Sequence, residues 1–390
     1  MKKTMILLSV LLSAQLFASD LKLPPILEPN TKVDDALPQG KFIRTGPTIQ
    51  IAILLDTSNS MDGLITQVKE QIWNIVNEVS RANKNSQDIT MQVALYEYGK
   101  NTLPAHTGYI QMLSPLTNDL DFLSEKLFAL KTRGGLEYAG EVIEKASNNL
   151  YWSKNRDDLR IIIIAGNEEF DQGSVNYRQS IANAKKRDIV VNTIFCGPHK
   201  RGIYLGWEDG AKKGGGKYMN IDSDRRVVHI PTPQDSQIII LNNQLNSTYI
   251  GYGQRGKEKK QRQLKEDEKS KNLSIGSYVS RTVSKSSRQY KTESWDAVSS
   301  YDKGNKSIAK ELKQSNIAFS DKSEEEIDKI VAAKSEDRKK IKSEIQELEK
   351  KRRLYIKNNQ PKGEQTFGER IIKEIKSQME ESGFSFKSSK

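Results

Sequence analysis

The run Ile49-Gln50-Ile51-Ala52-Ile53-Leu54-Leu55-Asp56-Thr57-Ser58-Asn59-Ser60-Met61 decides how this chain is read. Its first part, through Leu55, is nearly unbroken in apolar, often β-branched side chains, the composition of a strand buried on both faces. From Asp56 the run turns abruptly to carboxylate, hydroxyl and amide. Leu64, Val68, Ile72, Ile75 and Val79 then recur at helical spacing. A buried strand, a polar turn and an amphipathic helix in that order open a doubly wound α/β domain.

Working outward, residues 91–98, 160–165 and 189–196 repeat the composition of the buried strand. Residues 106–113 alternate more and follow Tyr98 after a gap containing Pro104, too short for a helical crossover, so they predict an antiparallel edge strand. A sixth short strand is expected at 217–221. Between the strands, Leu120, Leu123, Leu127 and Leu130 form a second apolar stripe, and Val142, Ile143, Ala146 and Leu150 a third. A fourth helix is expected near 174–187, and a last one over 238–245, after Pro233. The expected fold is a six-stranded, doubly wound (Rossmann-like) α/β sheet over 47–253 with one antiparallel edge strand.

The flanks differ. The chain has 390 residues, 36% hydrophobic and 29% charged, which excludes complete disorder and a membrane channel. Lys2-Lys3, an apolar run over 5–17 and the small residues Ala18 and Ser19 predict a signal peptide at 1–19, with an N-terminal anchor helix as the competing reading. A Pro-containing leader follows at 20–46. The expectation is an exported protein, periplasmic or extracellular, with no transmembrane segment after cleavage. Residues 254–390 hold 34 basic and 23 acidic side chains, so almost all of the net +12 lies there. They read as a basic, mostly helical extension, partly coiled-coil-like or flexible. Ile327, Ile341, Leu348 and Tyr355 give a partial heptad seam that Lys334, Arg338 and Arg352 interrupt, which predicts a solvated helical hairpin, with weak pairing to a partner or folding onto Ile371–Met379 as the alternatives. Cys196 is the single cysteine, read as a small buried hydrophobe.

Chemistry concentrates at Asp56, Ser58 and Ser60. A carboxylate and two hydroxyls on alternate residues at a strand end are oxygen donors for a hard cation, Mg²⁺ or Mn²⁺, and not for Zn²⁺. The same residue types are also what a helix takes at its N-cap, and both readings stand. The three side chains are expected to be exposed in a groove.

With these elements in place, the chain resembles the von Willebrand factor A family, whose metal-ion-dependent adhesion site opens with a D-x-S-x-S signature. The likeness covers about 47–253. It extends to Val93–Gly99, to residues 134–146 and to 161–168. It implies strand order 3-2-1-4-5-6 and a crevice between strands 1 and 4, reached by Asp56 and by Gly166-Asn167-Glu168. This sequence departs from the family pattern in two places. Leu136-Glu137 follows Gly134-Gly135 where the family has a Thr, leaving Thr132 offset, and Ala165-Gly166-Asn167-Glu168 replaces Thr-Asp-Gly. Glu137 or Glu168 could restore the lost oxygen. Each has an alternative: Glu137 in a helix's first turn, Glu168 in solvent.

The phrases Ala94–Gly99, 123–127 and 191–197 also look like an exported bacterial subfamily sharing the basic helical extension. The implied function is that of a binding or adhesion-type protein, not an enzyme. A partner's acidic side chain would engage Asp56, Asn59 and Asn167, through a cation if one is held. An alternative is association of the basic arm with anionic envelope polymers or lipid headgroups, nucleic acid being a poor partner outside the cytoplasm. A metal-dependent hydrolase is the third class, with no paired acid–base residues to argue for it. Gly214-Gly215-Gly216-Lys217-Tyr218 lacks the pattern of a phosphate loop and reads as a helix end and turn. His106, His199 and His229 show no metal-ligand spacing.

Overall fold

The computed structural model describes residues 46–221, 229–359 and 367–386. The predicted signal peptide, and the leader up to residue 45, lie outside the described residues. The described residues fall within one compact unit.

Six strands form the main sheet: β1 (Thr48–Asp56), β2 (Thr90–Tyr98), β3 (Ile110–Thr117), β4 (Leu159–Gly166), β5 (Ile189–Cys196) and β6 (Gly215–Ile221). Their order across the sheet is β3-β2-β1-β4-β5-β6, parallel except for β3. The antiparallel edge is as the tight connection predicts. Pro115 is tolerated within β3 because an edge strand needs only one ladder, and the register slips along the β2–β3 pair.

The two-residue period of the central strands feeds two cores. Ile49, Ile51, Leu55, Ile161 and Ile163 face α1 (Asp62–Val79) and α2 (Leu120–Phe128). Ala52, Leu54, Ile162 and Ile164 face α3 (Ala139–Asn149), α4 (Tyr177–Lys185) and, beyond the short α5 (His199–Tyr204), α6 (Trp207–Lys213). The triple glycine is a helix end and turn, Gly214 closing α6 and Gly215 opening β6. β1 lies between two parallel neighbours with both faces covered, so its polar C-terminal turn is held at the middle of the sheet edge.

The C-terminal region corrects the expectation of a solvated hairpin. It comprises α7 (Asp235–Thr248), α8 (Gly256–Leu273), α9 (Ile275–Ser286), α10 (Ala297–Asp302), α11 (Ile308–Ser315), α12 (Glu324–Asn359) and α13 (Phe367–Glu381). Val283, Tyr290, Trp295, Ile345, Ile371, Ile375 and Met379 join the same core as α1 and the sheet. Two of the cations that break the heptad seam are buried partners of acids: Arg338 pairs with Asp296 and Arg352 with Asp235 at 3.0 Å. Arg338 also lies 4.2 Å over the Tyr249 ring and donates to the Thr248 carbonyl at 2.7 Å. The seam is interrupted because α12 packs on this protein's own helices.

α9 is Ser-rich, yet Ser277 through Ser286 are all buried. Hydroxyls occupy little volume, so neighbouring helices approach closely: Thr282 donates to the Tyr278 carbonyl at 2.9 Å and Ser280 to Asn74 Oδ1 of α1 at 2.6 Å. Arg281 of α9 is fully buried between Asp121 of α2 (2.8 Å) and Asp267 of α8 (2.7 Å), and Lys285 reaches Asp267 at 2.7 Å.

Candidate metal and partner site at the end of strand β1

The turn after β1 is clamped to its neighbour: Thr57 N–H donates to the Tyr98 carbonyl at 2.8 Å and its hydroxyl to the same oxygen at 3.1 Å. This fixes Asp56, paired in register with Tyr98, at the sheet edge. Asp56 Oδ1 accepts the Ser58 backbone N–H at 2.7 Å, closing the turn on itself. Asp56 Oδ2 is buried and receives no donor from the protein. Ser58 precedes a short 3₁₀ turn, and Met61 precedes α1. Neither makes a side-chain capping bond. The capping reading therefore accounts for one carboxylate oxygen and for neither hydroxyl.

Asp56 is not in an open groove, which corrects the expectation of exposure: it is 0% accessible and Ser58 is 4%. Burial follows from the loop over 129–138. Arg133 N–H donates to the Thr57 carbonyl at 2.9 Å, and the Gly134 carbonyl accepts Asn101 N–H at 2.8 Å, drawing the loop across the turn. Gly135 has to be glycine here, because a Cβ would come 2.1 Å from the Gly99 carbonyl oxygen. Gly99 itself has φ +81°, and a Cβ there would lie 2.7 Å from Asp56 Oδ1 and 2.8 Å from Glu137 Cγ. The space a side chain would fill is where the two acids meet.

Glu137 precedes α3, whose first-turn acid is Glu141, so the first-turn reading of Glu137 does not hold. It is 7% exposed and turned inward, its carboxyl within hydrogen-bond reach of that of Asp56, with the Ser58 hydroxyl beside both. Two carboxylates in contact need a proton or a cation between them. Burial first, and then the Asp56 charge, push Glu137 up to about 10; burial pushes Asp56 up to about 6. At neutral pH Glu137 therefore keeps its proton beside the Asp56 carboxyl. Glu168 is half-buried and near enough for its charge to raise both, but among the described residues no three Asp, Glu, His or Cys side chains converge on one point.

The remaining predicted residues form a rim. Ser60 and Asn59 are exposed, Ser60 Oγ lies 3.2 Å from Ser58 Oγ, and Asn167 Nδ2 donates to Ser60 Oγ at 2.9 Å across the β1–β4 crevice. Thr132 is engaged elsewhere, its hydroxyl donating to Asp62. Cys196 is buried nearby, its thiol pushed well up by burial and by the charges of Asp56 and Glu137, which leaves it inert. Tyr98, whose hydroxyl donates to the Ala165 carbonyl at 3.0 Å, and Gly99 are site-forming residues that the sequence reading did not single out. The Gly99 and Gly134-Gly135 pair was the available signal.

A divalent cation fits the residues present. Asp56 Oδ2, the Glu137 carboxyl and the Ser58 and Ser60 hydroxyls are hard oxygen donors, and two carboxylates balance a dipositive ion that displaces their proton. Two acids leave part of the coordination shell to water or to an incoming oxygen.

Residues 50–203 match the model of the von Willebrand factor type A domain. Such domains mostly serve as interaction modules and commonly bind protein partners, typically with a divalent metal at the adhesion site. Among solved structures, BatB from Bacteroides thetaiotaomicron is similar at 18% identity over 45% of this chain and 90% of that one, with a TM-score of 0.34. The SpRpn10 domain of the same family is similar at 18% identity over 45% and 89%, TM-score 0.33. Proximal thread matrix protein 1 of the mussel byssus, solved with zinc in its adhesion motif, is similar at 11% identity over 47% and 44%, TM-score 0.34. No curated protein sequence matches the chain.

Proposed function

We propose that this is an exported binding protein that captures a protein partner over the end of β1, through Mg²⁺ or Mn²⁺ held by Asp56, Glu137, Ser58 and Ser60. The observation that carries the reading is the sealed, donorless Asp56 Oδ2 lying against a second carboxyl, directly beneath a polar rim of Asn59, Ser60 and Asn167. A buried polar atom without a partner is costly, and a cation removes that cost. An acidic side chain of the partner supplies a further oxygen, and Asn59 and Asn167 donate hydrogen bonds to it. Glu168 acts on this site as a nearby negative charge. Export rests on the signal-like N-terminal sequence. No helix among the described residues is long and apolar enough to cross a membrane.

The alternative centred on a free basic arm has less support, since Arg281, Lys285, Arg338 and Arg352 are buried in ion pairs. The test is capture from envelope extract by the full-length protein. The same partner should be retained in Mg²⁺ and lost both in chelator and with Asp56→Ala, whose circular dichroism stays native. Capture indifferent to both would refute the reading. Cell fractionation, with the mature N-terminus read near residues 18–20, tests export separately.

A further inference from the structure

Positive charge is also concentrated inside the sheet domain, at a place unconnected with Asp56. Residues 177–217 hold nine Lys and Arg against three Asp and Glu, while the rest of the chain up to residue 253 is net negative. α4 and α6 bring much of this charge together: Arg178, Lys185 and Lys186 of the first and its end, and Lys212 and Lys213 of the second, line a surface concavity of about 630 Å³ together with Ala182. All five cations are exposed. Asp209 pairs with Arg178 at 3.2 Å and with Lys213 at 3.5 Å, and Glu208 with Lys212 at 2.8 Å. Lys185 and Lys186 make no ion pair among the described residues. Exposed pairs of this kind hold their cations weakly, so all five remain available to a stronger anion.

We propose that this groove binds a linear, phosphate-bearing polyanion. Four of the five cations are lysines, point charges that suit phosphate oxygens without demanding one planar geometry. No aromatic side chain lines the groove, so it offers no platform for nucleobases. It is concave and carries no large apolar side chain, which fits an extended strand rather than insertion into a bilayer. Among the described residues, the helices of the C-terminal region pack on the opposite face of the sheet, away from α4 and α6.

The experiment is titration of the full-length protein with long-chain inorganic polyphosphate at several salt concentrations. The wild type should bind with an affinity that falls steeply as salt rises. The Lys185→Gln/Lys186→Gln variant should bind about tenfold or more weakly, with a log–log salt slope shallower by about one to two charges. Lys340→Gln/Lys351→Gln, which removes two exposed cations from α12, should change affinity less than about twofold. Equal loss in the two variants would mean that net charge alone is sensed, and would overturn the site. Absence of polyphosphate binding, or tighter binding to oligothymidylate or to phosphatidylglycerol vesicles, would overturn the class of ligand.

Discussion

Gly99 makes the candidate site by what it lacks. Its positive φ and missing Cβ leave room for the Asp56 and Glu137 carboxyls to meet, and Gly135 crosses its backbone too closely for any side chain. Gly99→Ala should cost about 1–3 kcal/mol in a urea unfolding curve and part the two acids. The proton between them also has a measurable consequence. Both folded pKa values lie above the ordinary carboxylate values of 3.8 and 4.5, so the stability from holding the proton is complete below about pH 4 and is lost as pH rises through about 6 toward about 10. In chelator, the melting temperature should fall between pH 5 and pH 9, and Glu137→Gln should flatten that fall. A decline as steep in the variant would show that Glu137 is not the proton's holder. Asp56 stands out in the sequence because a carboxylate closes an unbroken apolar strand, with capping and cation binding both open to it. The burial of Asp56 and the choice between Glu137 and Glu168 were not. Both depend on where a loop about 80 residues downstream in the sequence is drawn by two backbone hydrogen bonds, and composition says nothing of that.

Among the elements, α9 and α12 show that polar side chains in this chain do not mark solvent-facing helices. In α9 small hydroxyls permit close packing, and in α12 the arginines meet acids from α7 and from the chain before α10. Burial alone would raise Asp267, but Lys285 and Arg281 override it and hold the carboxyl well below its usual range. Its contribution to stability is therefore present above the unfolded carboxylate value and lost as pH falls below about 4 through the folded value. Asp267→Asn should flatten this acid limb of a pH–stability profile. Arg281→Met, which leaves Asp121 uncompensated, should cost roughly 3–5 kcal/mol in urea unfolding. A loss below about 1 kcal/mol would show the network to be peripheral. The four central strands were readable because burial on both faces leaves sequence little freedom, whereas the half-exposed edge strand, expected at 106–113, lies at Ile110–Thr117.

For the whole molecule, the sheet domain and the C-terminal helices share one core, with Ile345, Ile371 and Met379 covering the face of α1 and the sheet. A chain cut after Gly253 should expose that face and aggregate or lose its far-ultraviolet signal. A monomeric, native-like fragment on gel filtration would contradict the shared core. The charge excess of residues 254–390 does not mark a free arm, since part of it is neutralised internally. The central claim is that the acids gathered at the end of β1 take a divalent cation. Its most direct test is calorimetric titration of the full-length protein with Mg²⁺ and Mn²⁺ beside Asp56→Ala. Single-site saturable binding that the substitution abolishes is expected; no saturable heat in the wild type, or the same isotherm in the variant, would refute cation binding at these acids.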